Sequence, residues 1–92
     1  MMNFIKGDHR FYQENSNGKL IAEITYEEIG EDTVDANHTF VDESLRGQGI
    51  AEQLVDRLVE EMQEEGKKIK ASCPYIVSLF ERKADKYRDI TA

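Results

Sequence analysis

The periodicity of the apolar residues changes once along this chain, at Asp42, and this change limits the possible folds more than any other feature. Up to Val41, apolar and polar residues alternate, as they do in strands that have one covered face. Beyond Asp42 the apolar residues recur every four positions, at Ile50, Leu54, Leu58 and Met62. That spacing is typical of an amphipathic helix, so the chain predicts a meander of strands followed by a helix.

The first half of the sequence predicts strands at 3–6, 10–14, 19–28 and 33–41. The segment 15–18, Asn-Ser-Asn-Gly, ends in an Asn-Gly pair between two extended runs, which is a strong hairpin signal. In the fourth strand the alternation predicts one shared face for Val34, Ala36, His38 and Phe40.

The second half predicts a helix over about 48–65 with Gly66 as its stop signal, a strand over 67–73 and a final helix that begins at Pro74. A strand, a helix and a further strand in this order imply a right-handed crossover and a parallel strand pair. We therefore expect an α/β fold of the α+β kind: a mixed, mostly antiparallel sheet of about five strands with a β-α-β crossover and a C-terminal helix. The length of 92 residues predicts a single domain over 1–92.

The composition excludes several classes of function. The net charge is −7, with 19 acidic against 12 basic residues, which argues against a nucleic-acid partner and favours a cationic acceptor. No apolar run is long enough for a membrane span and no leader pattern opens the chain, so we expect a cytoplasmic protein. We also expect a monomer or a weak dimer. With one cysteine and two histidines, neither a disulfide nor a metal site is expected.

The segment Arg46-Gly47-Gln48-Gly49-Ile50-Ala51 lies between the fourth strand and the helix. Glycines permit a left-handed backbone and close approach of a ligand, so the amides of residues 47–52 would point outward from a helix N-terminus. Such amides bind phosphate or pyrophosphate, and Arg46 can add a charge-assisted contact. A P-loop fails at positions 50 and 51, and the dinucleotide fingerprint fails at Glu52. A tight turn without any ligand is the remaining alternative.

These six residues match the Gcn5-related N-acetyltransferase pattern: Gln or Arg, two residues, Gly, one residue, then Gly or Ala. Together with the order of elements, they make the chain resemble that superfamily over nearly its whole length. The short length, the segment 38–41 (His-Thr-Phe-Val) and the segment 73–75 (Cys-Pro-Tyr) resemble its minimal single-domain branch, often called the YjdJ type.

The resemblance implies acetyl-coenzyme A as the acyl donor and an amine, a small molecule or peptide, as the acceptor. It implies that the pyrophosphate binds at 46–52, that the pantetheine arm pairs with the main chain around Phe40 and Val41, and that the thioester points back toward His38 and Cys73. Only residues 7–9 separate the first two strands, so we expect an open acceptor site, and the sequence does not identify the amine.

The chemistry suggests two routes. In one, which the resemblance implies, an amine attacks the thioester directly, with a carboxylate or a water chain as the base and a tyrosine such as Tyr75 or Tyr87 as the acid. In the other, Cys73 forms an acyl-enzyme intermediate with His38 as its partner. Each side chain also has a structural interpretation, because isolated cysteines and histidines on apolar strand faces are commonly packed in cores. A coenzyme-A-binding sensor without turnover, and an interaction domain that uses the acidic helix, are the alternative functions.

Overall fold

A computed structural model describes residues 2–92 and contains one five-stranded sheet. Its strands, in sequence order and in sheet order, are β1 (Ile5–Gly7), β2 (Arg10–Glu14), β3 (Leu20–Glu28), β4 (Thr33–Val41) and β5 (Lys68–Ala71). The helices are α1 (Ile50–Glu65), α2 (Pro74–Arg82) and α3 (Ala84–Tyr87), with a 3₁₀ turn at Glu43–Leu45 before α1. Neighbouring strands are antiparallel except β4 and β5, which are parallel. The predicted fold class is confirmed.

The β2–β3 hairpin forms where the Asn-Gly signal predicts it. The Asn15 amide donates to the Lys19 carbonyl and the Gly18 amide to the Asn15 carbonyl, both at 2.9 Å. The Asn15 side chain also accepts from the amides of Asn17 and Lys19. An Asx side chain that binds the backbone ahead of it in this way fixes a turn locally, before any tertiary contact exists.

Helix α1 supplies one side of the core. Gly49 and Gly66 cap it, both in the left-handed conformation, so the predicted stop at Gly66 is confirmed. The buried side chains come from the inner face of the sheet and from all three helices. The largest that are below 2% exposed are Phe11, Ile24, Val34, Leu54, Val55, Leu58, Met62, Ile69, Ile76, Leu79 and Tyr87. The helices therefore cover one face of the sheet and leave the other face open.

A β-bulge interrupts β4 and changes which side chains face the core. Tyr26 pairs with Ala36 but Thr25 pairs with His38, so Asn37 is an extra residue in β4. Beyond it, Thr39 lies opposite Ile24 and Val41 lies opposite Ala22, and both of those partners are fully buried. Directly opposed residues share a face of the sheet.

The predicted common face for Val34, Ala36, His38 and Phe40 is therefore wrong beyond Ala36. His38 and Phe40 pair with Thr25 and Glu23, and both are exposed on the open face. The physical reason is the inserted residue, because a strand alternates with a period of two and one extra residue reverses it.

The C-terminal segment, beyond the last helix, forms a further parallel pairing with β5. The Ile69 amide donates to the Ile90 carbonyl at 2.7 Å, and the Ala92 amide donates to the Ile69 carbonyl at 2.9 Å. Ile90 is only 3% exposed. The segment thus covers the outer edge of β5 and adds one apolar side chain to the core.

Within residues 2–92, no helix combines the length and the apolar character that crossing a bilayer requires.

Candidate functional site

The turn between β4 and α1 has an open, left-handed backbone. Gly47 has φ 82° and Gly49 has φ 73°, values that favour glycine over other residues. A Cβ built at either position meets nothing within 4 Å, so packing within the chain does not explain why both are glycine. Close approach of a ligand to this backbone remains a reason for both.

The amides of this turn are free to bind an anion. The first amide near the helix start that donates to a backbone carbonyl belongs to Gln53, which binds the Gly49 carbonyl at 3.2 Å. Among the described residues, the amides of 47–52 have no acceptor in the chain. Six free donors at the positive end of a sixteen-residue helix dipole are suited to a phosphate or pyrophosphate group.

A shallow pocket of about 140 Å³ connects this turn to the end of β4. Its lining joins Val41 and Leu45 to the turn residues Arg46, Gly47 and Gly49, and to Ile50 and Ala51. A larger cavity of about 470 Å³ lies elsewhere, between residues 2–4 and α1, and includes none of the turn. Volume alone would thus select a different surface, whereas the smaller pocket is the one that adjoins free backbone donors.

A gap opens between β4 and β5 beyond their last paired residues. Their pairing ends at Ala36 and Ala71, and the Ala36 carbonyl then accepts from the amides of both Ser72 and Cys73, at 3.1 and 3.2 Å. Strand β4 continues for five more residues without a partner on that side, while Cys73 turns away to begin α2. One edge of β4 is therefore available to a ligand.

Backbone alternation identifies which residues line this edge. The Asp42 amide donates to the Ile21 carbonyl of β3 at 2.8 Å, so Val41 next to it directs its amide and carbonyl away from β3. The same alternation places the main chain of Thr39 on the free edge and that of Phe40 toward β3. Of the two residues predicted for main-chain pairing with a ligand, Val41 lies on the free edge, and Thr39 takes the position expected of Phe40.

Cys73 lies beside this gap on the covered face. It is 6% exposed, and its sulfur is 3.5 Å from the hydroxyl of Thr39. The predicted partner was His38, but among the described residues the structure gives Cys73 no contact with His38. The bulge is the cause, because it turns Thr39 inward and His38 outward. Sequence reasoning missed Thr39, since nothing in a single sequence marks the extra residue.

His38 lies on the open face, one residue beyond the bulge. Its cross-strand neighbour Thr25 donates through its hydroxyl to the Asn37 side chain at 2.6 Å. On the same face, the Ser72 hydroxyl donates to a carboxylate oxygen of Asp35 at 2.7 Å and ties the end of β5 to β4. The gap is thus bounded by Thr39 and Cys73 on one face and by His38 on the other.

The two candidate tyrosines have different environments. Tyr87 is 1% exposed, and its hydroxyl donates to Asp56 of α1 at 2.7 Å; burial, reinforced by that bond, raises the pKa of its phenol strongly. Tyr75, in the first turn of α2, is half-buried. Burial raises the pKa of the Tyr75 phenol, the charge of Glu52 adds to the rise, and Arg82 opposes it. Tyr87 therefore joins two helices, whereas Tyr75 lies near the turn.

Glu52, in the first turn of α1, connects the turn to the end of α2. Its carboxylate accepts from Lys83 at 2.9 and 3.0 Å and from Lys86 at 2.7 Å. Bonds from Lys86 and then Lys83 lower the pKa of Glu52. A dinucleotide fingerprint has a small residue at this position. Here the Glu52 carboxylate instead joins α1 to the two lysines of the other helices.

A mixed sheet with a parallel pair that separates next to a glycine-rich helix N-terminus defines the fold of the N-acetyltransferases related to GCN5. A family model described as GCN5-related N-acetyl-transferase matches residues 10–90 of this chain. The chain therefore belongs to the GCN5-related N-acetyltransferase family.

Individual relatives agree with this membership. A GCN5-like candidate N-acetyltransferase from Staphylococcus aureus, solved in solution by NMR, is 31% identical with a TM-score of 0.82, covering 98% of this chain and 87% of that one. Protein NATD1 of Xenopus tropicalis is 40% identical over 55 residues, which is 60% of this chain and half the length of that protein. Rv2747 of Mycobacterium tuberculosis, crystallised in complex with coenzyme A, shares the fold, with 20% identity, a TM-score of 0.59 and coverage of 68% of this chain and 40% of that one.

Proposed function

We propose that this chain transfers an acetyl group from acetyl-coenzyme A to an amine. The observation that carries the proposal is the run of free amides at 47–52, placed at the end of a strand whose edge is also free. A pyrophosphate with a peptide-like arm attached is a ligand that uses both features at once. Rv2747, which shares the fold, has been crystallised with coenzyme A, and this supports the choice of donor.

The residues present fit coenzyme A. The pyrophosphate would accept hydrogen bonds from the amides of 47–52, with Arg46 adding a positive charge. The amide groups of the pantetheine arm would pair with the free main-chain edge at Thr39 and Val41, as a short added strand does. This arrangement directs the thioester toward the point where β4 and β5 separate, which is where Cys73 lies.

The proposed chemistry uses the two faces of the gap separately. On the covered face the Cys73 sulfur attacks the thioester carbonyl, the bond to the sulfur of coenzyme A breaks, and coenzyme A leaves with the proton that Cys73 loses. On the open face His38 takes a proton from the incoming amine as the amine attacks the acetyl-cysteine. The bond between the acetyl carbon and the Cys73 sulfur breaks as the amide forms; the Cys73 thiolate takes a proton from solvent and His38 gives its proton up to solvent, because the two side chains are not in contact.

Two features support assigning the acceptor side to the open face. No helix of the described chain covers that face, so an amine can approach it without rearrangement. The net charge of −7 also raises the local concentration of a cationic amine. Direct attack by the amine, without an acetyl-cysteine, is the competing mechanism. It would give the same overall transfer of an acetyl group to an amine.

Intact mass measurement after incubation with acetyl-coenzyme A tests the proposal, and it is unusually clean because Cys73 is the only cysteine. We expect an acetyl adduct on the wild-type chain and none on Cys73→Ala. In His38→Ala the adduct should form but persist when an amine is added, because deacylation lacks its base.

The release of free coenzyme A across a panel of amines provides the second measurement. Release that survives Cys73→Ala would show direct attack instead of the acetyl-cysteine route. No adduct and no release with any amine, despite tight binding of coenzyme A, would overturn the enzymatic proposal and favour a binding module.

A further inference from the structure

The basic residues of this chain are unevenly paired. Eight of them form ion pairs with carboxylates: Lys6, Arg10, Lys19, Arg57, Lys67, Lys83, Lys86 and Arg88. Within residues 2–92, four have no acidic partner: Arg46, Lys68, Lys70 and Arg82. Lys68 instead donates to the Asp89 carbonyl. Acidic residues outnumber basic ones by 19 to 12, so carboxylates are in excess. A basic side chain that pairs with none of them is therefore a candidate for binding an anionic ligand.

Two of these cations lie near the free amides: Arg46 precedes them in sequence, and Arg82 is next to Lys83, which pairs with Glu52. Arg46 is exposed within the turn itself. Arg82 ends α2, and its Nε donates to the Ser78 hydroxyl at 3.2 Å. In the described part of the chain its guanidinium has no acidic partner and lies beside the neutral phenol of Tyr75. The fork that recognises a phosphate or carboxylate therefore remains available on Arg82.

The face of α2 that carries Arg82 begins beside the turn. Tyr75, Ser78 and Arg82 follow one another at intervals of three and four residues, so they form one stripe along the helix. At its start, Tyr75 is close enough to Glu52 and to Arg82 for both charges to act on its phenol. Glu52 carries one of the free amides, so the stripe leads from the amide cluster to an unpaired guanidinium.

We infer that Arg82 binds the 3′-phosphate of coenzyme A. The inference rests on the proposed function, since it takes coenzyme A as the ligand. The cofactor carries a pyrophosphate, which the amides of 47–52 fit, and a separate phosphate monoester on its ribose, which needs a second cationic group. A guanidinium can bind that group through two parallel hydrogen bonds.

The neighbouring lysines are poorer candidates for this role. Lys83 and Lys86 are both held by Glu52, and Lys86 also by Asp56. Two carboxylates balance these two ammonium groups, so the cluster offers no net positive charge to a dianion. Apart from Arg46, which lies in the turn itself, Arg82 is the nearby cation whose charge no carboxylate offsets.

Calorimetry with coenzyme A and with 3′-dephospho-coenzyme A, on the full chain, tests this assignment. We expect the wild type to bind coenzyme A roughly ten-fold or more tightly than the dephospho form, as a charge-assisted hydrogen bond allows. In Arg82→Ala, the affinity for coenzyme A should fall to that of the dephospho form, whose own affinity stays unchanged. Because Arg82 is exposed, the variant should fold, and circular dichroism checks this.

Lys70→Ala is the matched control. Lys70 also lacks an acidic partner but lies in β5, opposite Asp35 of β4, and its loss should leave the preference for the 3′-phosphate intact. A preference that survives Arg82→Ala, or wild-type binding of both ligands with equal affinity, would overturn the role of Arg82 alone. Failure of the wild type to bind either ligand would overturn the proposed function together with this inference.

Discussion

The Thr39 hydroxyl lies 3.5 Å from the sulfur of Cys73, across the point where β4 and β5 separate. Thr39 lies on the free edge of β4, and Cys73 is the residue from which α2 begins. One hydrogen bond therefore joins the strand proposed to hold the pantetheine arm to the residue proposed to receive the acetyl group. Thr39 faces the covered side of the sheet, where Cys73 lies, because of the extra residue Asn37 in β4.

Thr39→Val removes this hydrogen bond while keeping the shape of the side chain. We expect acetylation of Cys73 to slow by roughly three- to ten-fold, the range that corresponds to one ordinary hydrogen bond. Thr39→Ser should retain most of the wild-type rate because it keeps the hydroxyl. The rates can be measured by intact mass at several times, over a range of pH. Equal rates in the valine and serine variants would remove Thr39 from the mechanism.

Gly49→Ala should show whether the glycine is required for binding of coenzyme A as well as for stability of the fold. Gly49 and Gly18 have similar left-handed φ values, 73° and 80°, and a Cβ at either meets nothing within 4 Å. Each alanine variant should lose about 1 kcal/mol of unfolding free energy, from backbone strain. Only Gly49→Ala should also lose affinity for coenzyme A, measured by calorimetry. Comparable affinity in the two variants would contradict the assignment of the turn.

Tyr87→Phe should affect stability and not catalysis. The phenol donates to Asp56 and joins α3 to α1, so its loss should cost about 1 kcal/mol in a denaturant titration. The turnover of acetyl-coenzyme A should remain at the wild-type value once folding is complete. A large loss of turnover with unchanged stability would instead make Tyr87 the acid of the reaction.

Glu61 should make the stability of this chain sensitive to acid. Glu61 is 8% exposed, and hydrogen bonding of its carboxylate to Lys6, aided by Arg57, lowers its pKa against the opposing effect of burial. A lowered pKa gives stability that is fully present above the ordinary carboxyl value of about 4.3 and is lost as the pH falls through the folded value. The melting temperature of the wild type should therefore exceed that of Glu61→Gln at pH 7.

The same difference in melting temperature should shrink as the pH falls below about 4, where protonation removes the charge from Glu61 in the wild type as well. Glu60→Gln is the control, because Glu60 is mostly exposed and an exposed ion pair contributes little. A constant difference across the whole pH range would show that Glu61 acts through packing and not through its charge.

The sequence predicted most of the fold because its signals were local. The Asn-Gly hairpin, the four-residue spacing from Ile50 to Met62 and the capping residue Gly66 each act within a few neighbouring residues. The strand bounds at 10–14 and 33–41 agree with the structure. The pairing of Ile90 with β5 was not predictable in this way, since it depends on an edge built by residues twenty positions earlier.

The bulge explains the error at the candidate site. The segment from Val34 to Val41 contains apolar or β-branched residues at both odd and even positions, so either register satisfies the pattern. The choice between them is made by the whole sheet, in which Thr39 and Val41 meet the buried residues Ile24 and Ala22. A single sequence does not show which register the neighbouring strands favour. The prediction therefore placed His38 on the wrong face.

The extra residue in β4 also has a consequence for deletions in this strand. If Asn37 were paired in the ladder instead of extra, His38 and Phe40 would come to the covered side of the gap and Thr39 and Val41 would move to the open side, because the strand has a period of two. An in-frame deletion of the Asn37 codon would instead leave His38 and Thr39 on their present faces, because Ala36 and His38 would then be consecutive residues of a regular strand. At this site the pairing register, and not only the identity of the residues, decides which side chain lies beside Cys73.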